Sequence, residues 1–407
     1  MAMNSQSRIE LIDSLRGFAL LGIILVNITF FTTSLQTISY GVDLWSGWYH
    51  ELAMLLRGIV IDGKFVLIFS FLFGFGMVLL QESSQAKGKS FNRIYIRRLT
   101  ALLLFGLLHG IFIWYGDILT HYALLGFLLM LFKRCKPRTM LIWSLILLLI
   151  VPVLVAGTSL LNGSASQALE PISQADARQI GVYYQERDAA IYGEGTVTQI
   201  AIQRVNDYIS SIFNMLLFYP QILGMFLMGA YFCKRRLLHK VQEKRKEILR
   251  LVILGGSAGL VLQLILSLAK KGLPFWGEAV ALFVGAPLLA LAFIGIFALL
   301  YQNELWKKVL HWFSYPGKMA FTNYLLQSVL CGLIFYSYGL GWYGMIGPAL
   351  QMLIAVVIFA LQVVFSRVWL NWLPIGPLEY VWRLFTYWGN PLKQGGRANV
   401  APVHEAR

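Results

Sequence analysis

Apolar runs of about 20 residues recur along the whole of this 407-residue chain, separated by polar or charged segments. An α-helix of that length spans the hydrocarbon core of a bilayer. Because backbone amides in lipid meet no water, such a run satisfies its hydrogen bonds most simply as a helix. The sequence therefore predicts an all-α, polytopic membrane bundle of about ten transmembrane helices. The predicted limits are 15–33, 64–81, 94–114, 118–133, 139–161, 211–233, 248–269, 278–301, 319–338 and 343–366.

Composition agrees with a membrane protein and excludes a soluble one. Hydrophobic residues make up 58% of the chain, charged residues only 13%, and the mean hydropathy is +0.66. The net charge of +15 is concentrated in loops between the apolar runs, which favours membrane lipid as a partner and argues against nucleic acid. Cys135, Cys233 and Cys331 lie far apart and lack CxxC spacing, so neither a disulfide framework nor a zinc site is indicated.

The distribution of basic residues predicts the orientation. Each loop that follows an even-numbered run is basic, and residues 234–250 alone hold eight Lys or Arg. By the positive-inside rule both termini then lie in the cytoplasm, and we expect a multi-pass protein of the cell inner (plasma) membrane. The Lys270-Lys271 pair after the seventh run is the exception. No small-residue cleavage site follows the first run, which we expect to be a retained span.

We expect one transmembrane domain over residues 1–390 and a polar, disordered cytoplasmic tail over 391–407. Two outer loops interrupt the domain, at 34–63 and 162–210. The first contains an amphipathic stretch, around 45–60, of the kind that lies on a membrane surface. The second is either a polar linker or a lid over an outward-facing cavity.

The first apolar run opens with Asp13-x-x-Arg16-Gly17 and carries Asn27 most of the way along it. At about 100° per residue, Asp13, Arg16 and Asn27 lie within roughly 40° of one another on a helix. Charges and amides are costly in hydrocarbon, so this polar stripe is predicted to face the bundle interior or a cavity. The structural alternative makes Arg16 an interfacial anchor, Asp13 its partner and Asn27 a helix-to-helix hydrogen-bond group.

A second polar group surrounds the turn between the third and fourth runs. His109 lies near the outer end of the third run, and His121 lies one turn into the fourth. The turn through Asp117 is short, so the two helices are antiparallel neighbours and the three side chains are predicted to converge. Imidazole, with a usual pKa near 6.5, suits acid–base chemistry, and Asp117 would orient it. The alternative is a buried histidine bonded to a carbonyl, with Asp117 as a helix N-cap.

Other polar residues at membrane depth have both structural and functional interpretations. Lys64 begins the second run and either pairs with Asp62 at the interface or belongs to the site. Asn323 and Gln327 lie four residues apart in the ninth run and so share a helix face.

Several common site types are not indicated. Glu379 and Arg383 have i, i+4 spacing, which is typical of a salt bridge on a short interfacial helix. The GxSxG match Gly255-Gly256-Ser257-Ala258-Gly259 lies within an apolar run and lacks the strand-to-helix context of a nucleophile elbow, which argues against a lipase. No GxxxxGK[ST] loop or HExxH pair is present, which argues against a nucleotide-driven pump and a bound metal.

The polar motifs together resemble the YeiB-like bacterial membrane family, domain of unknown function family 418, along nearly the whole chain. The residues that carry this resemblance are Asp13, Arg16, Gly17, Asn27, Lys64, Phe65, Ser70, Gly74, Arg97, Arg98, His109, Gly116, Asp117, Ile118, Leu119, Gly317, Asn323, Tyr324, Gln327, Ser328, Gly376, Pro377, Glu379 and Arg383.

The opening Asp-x-x-Arg-Gly motif with its intramembrane Asn also resembles, more remotely, the heparan-glucosaminide acetyltransferase family. That resemblance implies a transmembrane-acyltransferase-like fold and transfer of an acyl group from cytoplasmic acyl-CoA to an acceptor on the outer side. Those enzymes have a His shortly after the Asn, whereas here the first His is His50. We therefore expect His109, with His50 behind it, to supply the base.

Two functions follow as hypotheses. In a membrane acyltransferase, His109 and Asp117 would be catalytic and Asn27 would bind the oxyanion. The donor would be acyl-CoA, with no permanently bound cofactor, and the acceptor a small molecule or glycan; a homodimer is left open. The residues assigned to substrate binding are Asp13, Arg16, Lys64, Arg93, Arg97, Arg98, His121, Asn323 and Gln327, and the basic ones among them suit a diphosphate. The alternative is a transporter or lipid-handling protein in which His109 and Asp117 relay protons.

Overall fold

The computed structural model describes residues 5–161, 173–268 and 275–388, and within these ranges the regular structure is entirely helical. The first nine helices are α1 (Ser5–Phe30), α2 (Leu35–Ser39), α3 (Trp48–Leu56), α4 (Lys64–Ala86), α5 (Phe91–Phe112), α6 (Leu119–Leu129), α7 (Pro137–Leu161), α8 (Gln174–Asp188) and α9 (Val197–Met215). The remaining helices are α10 (Tyr219–Lys234), α11 (Arg245–Arg250), α12 (Gly256–Leu268), α13 (Phe275–Val280), α14 (Ala286–Leu300), α15 (Glu304–Leu310), α16 (Ser314–Lys318), α17 (Ala320–Phe335), α18 (Pro348–Trp372) and α19 (Pro377–Tyr387).

Length and apolar composition show how many helices can cross a membrane. Within the described ranges eight helices qualify, or nine when a bent pair, Glu304–Lys318 with Ala320–Phe335, is counted as one span. A shorter apolar helix covers Leu119–Phe132. All ten predicted runs lie on helices, which confirms the all-α, multi-pass fold. The count falls below ten because the fourth run is short and the ninth is half of a bent pair.

The two predicted outer loops are largely helical. In the first, α3 continues through a wide helical turn at Arg57–Ile61. In the second, α8 and α9 are both regular, and the apolar helix that was predicted to begin at 211 begins instead at Val197 and runs to Lys234. Hydropathy missed this start because the first turns of α9 are polar. The Thr196 side chain and Gln199 form a reciprocal capping box there.

Three predicted features lie outside the described residues. They are the polar tail 391–407, the first part of the second loop (162–172) and the Lys270-Lys271 pair.

Helices cross at backbone contact in two places where glycines face each other. A Cβ on Gly17 would lie 1.8 Å from the carbonyl oxygen of Phe313, and one on Gly317 would lie 1.8 Å from that of Asp13. The same reciprocal arrangement joins α4 to α10, where a Cβ on Gly74 or Gly229 would collide with a carbonyl of the other helix. Without a strong hydrophobic drive between helices in lipid, such close packing is a main source of association.

The ninth predicted span is not a straight helix from 319. The chain bends by 78° between Lys318 and Ala320. The bend exposes amides at the start of α17, and Glu379 of α19 accepts hydrogen bonds from the backbone N–H of Phe321 at 2.8 Å and of Thr322 at 3.1 Å. A break buried in apolar surroundings needs such a partner.

The predicted Glu379–Arg383 ion pair is therefore wrong, because the Glu379 carboxylate is directed at α17. The suggested pairing of Asp62 with Lys64 is wrong as well. Asp62 instead pairs with Arg57 at 3.1 Å.

Candidate functional site

The hairpin of α5 and α6 positions a buried histidine–aspartate pair in hydrogen-bond contact. Nδ1 of His109 lies 2.9 Å from Oδ1 of Asp117, and both side chains are fully enclosed. The second carboxylate oxygen, Oδ2, accepts the backbone N–H of Thr120 at 2.8 Å. Asp117 thus contacts His109 and also accepts a backbone N–H in the first turn of α6, although Ile118 and not Asp117 is the N-cap residue. The alternative interpretation, in which the imidazole of His109 bonds a carbonyl, does not hold for Nδ1, because Nδ1 contacts the Asp117 carboxylate.

Aromatic rings and close packing fix this pair. Trp114 stacks on Phe31 with ring centroids 4.4 Å apart, and the ring of Tyr324 lies 5.3 Å from that of His109. Gly106 is needed opposite the turn, because a Cβ there would come within 2.9 Å of the Asp117 carboxylate. Nε2 of His109 is buried and has no hydrogen-bond partner among the described residues. The imidazole therefore has one satisfied and one unused nitrogen.

Helix α9 holds the same turn from the other side. Arg204 donates to the carbonyl oxygens of Phe112 and Ile113 at the end of α5. The Tyr208 hydroxyl lies 2.8 Å from Oγ1 of Thr120. These contacts satisfy carbonyls that the end of α5 leaves open. The described part of the second outer loop is thus a packed structural element, rather than the polar linker that was one expectation.

A cavity of about 410 Å³ lies beside the pair, at one end of the bundle. Its walls come from the C-terminal end of α1, the N-terminal ends of α4, α6 and α14, the turn after α5 and the junction of α9 with α10. Helix α4 ends and α5 begins at a basic loop that contains Lys87 and Arg93. The cavity is lined by the other end of α4 and by the turn after α5, so it lies at the opposite end of the bundle from that loop. Under the predicted orientation this is the outer end.

Three predicted site residues meet in the cavity wall: Asn27, Asp117 and His121. Asn27 has no hydrogen bond among the described residues, so its amide is available to an occupant. His121 accepts or donates one bond through Nδ1, to the Tyr219 hydroxyl at 2.8 Å, which leaves Nε2 for an occupant. His109 does not line the cavity and is linked to it through Asp117.

Asp13 and Arg16, the other residues of the predicted stripe, do not line the cavity. Asp13 and Arg16 form an ion pair at 2.7 Å in the first half of α1. The rise of a helix from Arg16 to Asn27 is about 16 Å. The stripe is therefore two separate polar positions, one at each end of the span.

The arginines predicted to bind a diphosphate are near α19, away from the cavity. Arg98 lies 4.0 Å from the ring of Trp382, and Arg97 lies 5.3 Å from that of Trp388. Repulsion from Arg16 and Arg383 also acts on Arg98, so several cations are close together at this end. Arg93 is exposed.

The remaining predicted binding residues connect helices. Nζ of Lys64, which is almost completely buried, donates to the Gly58 carbonyl and to Oε1 of Gln263, each at 2.6 Å. Asn323 and Gln327 do share a face, and each donates to a side chain of α18: Asn323 to Ser366 at 2.9 Å and Gln327 to Gln362 at 2.9 Å. His50, the second candidate base, is buried against Tyr49 outside the cavity wall.

Sequence analysis assigned neither of two charged residues of the cavity wall, Arg57 and Asp62, to the site. Arg57 lines the cavity and contacts the Thr29 hydroxyl as well as Asp62. Arg57 lies within the amphipathic 45–60 stretch, where a single cation is ordinarily a surface anchor. The sequence around it therefore gives little indication that Arg57 lines a cavity. The wide helical turn at Arg57–Ile61 places it beside the end of α1. Within the described ranges, no cluster of three or more His, Cys, Asp or Glu side chains has a metal-binding arrangement.

The fold and the site define a helical, multi-pass membrane protein with a polar-edged cavity at one end of its bundle. Residues 232–389 match the family described as Protein of unknown function (DUF418). The uncharacterized protein YxaH of Bacillus subtilis (strain 168) is 40% identical over 399 residues, which cover 94% of this chain and 95% of that protein.

Two more distant relatives also align along nearly their full lengths. The uncharacterized protein YeiB of Escherichia coli (strain K12) is 27% identical over 394 residues, with 92% of this chain and 95% of YeiB covered. An uncharacterized 39.9 kDa protein encoded in the amylase 3′ region of Bacillus acidopullulyticus is 28% identical over 397 residues, with 93% and 94% covered. The chain belongs to the DUF418 family of YeiB-like proteins.

Proposed function

We propose that this protein is a membrane acyltransferase of the cell inner membrane that transfers an acyl group from cytoplasmic acyl-CoA to an acceptor bound in the cavity. The observation that carries the proposal is the meeting of an amide, a carboxylate backed by an imidazole, and a second imidazole in one apolar enclosure: Asn27, Asp117 with His109, and His121. With both termini in the cytoplasm, this enclosure faces the outer side.

The reaction assigns each of these groups a role. The acceptor hydroxyl or amine attacks the thioester carbonyl, a C–O or C–N bond forms, and the C–S bond breaks to release CoA thiol. His121, the imidazole that lines the cavity, takes the acceptor proton and returns it to the leaving thiolate. The Asn27 amide donates to the developing oxyanion. Asp117, held by His109, keeps a negative charge beside the imidazolium that forms.

The basic end of the bundle suits the donor. Arg16, Arg97 and Arg98 would hold the CoA diphosphate by charge-assisted hydrogen bonds. CoA carries its thioester at the end of a long pantetheine arm, which would cover the distance of about 16 Å along α1. On this proposal Trp382 and Trp388 of α19 leave the arginine guanidiniums when the donor binds.

The test uses the purified full chain in nanodiscs with radiolabelled acyl-CoA. We expect acyl-CoA binding and slow hydrolysis, both measured in a single turnover. His121→Ala should reduce turnover at least about 100-fold with unchanged donor binding. His50→Ala is the matched control, because His50 is also buried but lies outside the cavity.

Two outcomes would overturn the proposal. One is the absence of both binding and hydrolysis for acyl-CoAs from two to sixteen carbons in the wild-type protein. The other is a wild type that shows proton-coupled flux in vesicles, lost in His109→Ala, without any acyl transfer; that result would establish the carrier instead.

A further inference from the structure

The cavity walls are mainly aliphatic and aromatic, although the cavity has a charged and polar edge. Apolar side chains enter it from α1, α4, the α9–α10 junction and the region before α14, among them Ile23, Val26, Leu67, Phe218 and Leu282. Each hydroxyl of a bound sugar would need a hydrogen-bond partner, and the apolar side chains that make up most of these walls supply none. Ligand sites of this composition bind apolar bodies and fix them with a few polar contacts.

The polar side chains that are free to contact an occupant are few: Asn27 from α1, His121 from α6 and Asn214 from α9. Asp117 also lines the cavity, but both of its carboxylate oxygens are bonded, to His109 and to the backbone N–H of Thr120. Arg57 is engaged with Asp62 and the Thr29 hydroxyl. Charge in the wall is therefore largely paired, which does not favour a strongly charged head group.

We propose that the cavity binds an amphiphile with one aliphatic chain and a small neutral head that carries a hydroxyl, rather than a free sugar or glycan. The head contacts Asn27 and His121, and the chain lies against the apolar walls. The role of the head as acyl acceptor rests on the proposed function, whereas binding of the amphiphile does not.

The cavity volume sets the length of the chain. About 410 Å³ corresponds to roughly fourteen times the volume per molecule of liquid water, near 30 Å³. A methylene group is of similar size, so a chain of about ten to twelve carbons fills the space. Burial of each methylene should strengthen binding by up to about fourfold until the cavity is full.

The test uses 11-bromoundecan-1-ol as the probe, since bromine quenches indole fluorescence on contact. Trp114 forms part of the cavity wall, so we expect saturable quenching that disappears in Trp114→Phe. In a series of n-alkanols that displace the probe, affinity should rise with chain length and level off near twelve carbons.

Two cavity-filling variants on different helices are compared, because a loss of binding common to both is not readily explained by misfolding. Val26→Phe and Ala286→Phe should each weaken probe binding at least tenfold without adding an indole to the cavity. Leu104→Phe is the matched control, because Leu104 is 52% exposed on the bundle surface, and it should bind as the wild type does. Each variant is first checked for a single symmetrical peak in size-exclusion chromatography.

Quenching that is non-saturable, or equal in all variants, would mean partitioning into the surrounding lipid and would overturn the proposal. Displacement of the probe by millimolar glucosamine or maltose would also overturn it, in favour of a sugar site. Saturable binding without acylation of undecan-1-ol by acyl-CoA would leave the amphiphile site standing and contradict its role as acceptor site. Acylation of a sugar by a protein that does not bind the probe would contradict the amphiphile site and leave the acyltransferase activity standing.

Discussion

Asp117 lies between His109 and the cavity: one carboxylate oxygen contacts the imidazole, and the residue itself forms part of the cavity wall. The pair is thus a positioning unit for groups that face the cavity. His121, one helical turn further on, is the imidazole with direct access to the occupant. His109, which has the carboxylate partner, is therefore not the histidine that lines the cavity.

We predict that Asp117→Asn slows single-turnover acyl transfer by about 100-fold or more, because the amide cannot balance the imidazolium that forms on His121. The pH dependence of the residual rate should shift as well, which a purely structural defect would not produce. Rates measured at several pH values, on protein with wild-type donor affinity, check this. A wild-type rate and pH profile in Asp117→Asn would contradict the role given to Asp117.

We predict that Lys64 stabilises the fold and does not bind substrate. Lys64→Met leaves the Gln263 Oε1 and the Gly58 carbonyl without their donor, which should cost about 1–3 kcal/mol for each buried group. A double-mutant cycle with Gln263→Leu measures the coupling between the two side chains, and the double variant should cost less than the sum of the single ones. Thermal unfolding in detergent is the readout. Strictly additive effects, or lost acyl-CoA binding by folded Lys64→Met, would refute this assignment.

We predict opposite outcomes for two neighbouring glycines of α4. Gly74→Ala should destabilise the protein strongly, because its Cβ would lie 1.8 Å from the carbonyl oxygen of Phe226. Gly76→Ala meets nothing within 4 Å and should be neutral or stabilising by up to about 1 kcal/mol, the helix preference of Ala over Gly. Expression level and melting temperature of the two variants are compared side by side. Equal effects would show that the close helix crossing contributes little.

We predict that Glu379→Ala destabilises the protein by about 2–5 kcal/mol, since two buried amides of α17 lose their acceptor. Glu379→Gln keeps an acceptor oxygen and should be mild. Melting temperatures of the three proteins at one pH test the cap, and a wild-type value for Glu379→Ala would argue against it.

The same position should show a dependence on pH. Burial raises the pKa of the Glu379 carboxyl, so the folded protein keeps this proton to higher pH than the unfolded chain does. The stability that this proton contributes is present below the unfolded pKa and is lost as pH rises through the raised, folded value. Glu379→Gln has no such group, so its stability relative to wild type should increase with pH across that window. A constant difference would contradict the raised pKa.

Much of this structure could be predicted from the sequence because membrane helices have a strong signal. All ten apolar runs lie on helices, and the short turn before Asp117 correctly made α5 and α6 neighbours. The bend near Met319 was missed, since an apolar run looks the same whether or not its helix is broken. The amides exposed by that bend are satisfied by Glu379, 58 residues from Phe321 in sequence, and hydropathy carries no information on such a contact.

The candidate site was predicted only in part. Helical periodicity places Asp13, Arg16 and Asn27 on one face but does not show what lies against each turn. The first half of α1 packs on α16, whereas Asn27 reaches the cavity. Arg57 was missed because its position depends on a wide helical turn that has no clear sequence signal.

The contact between α1 and α16 has a mechanical consequence. At Gly17 and Gly317 the two helices meet through main-chain atoms, with no side chain between them that can change rotamer. The half-helix on the charged side is therefore held against the first span at main-chain distance, and the chain leaves it through the 78° bend just beyond Lys318. A side chain larger than hydrogen at either glycine would force the two helices apart.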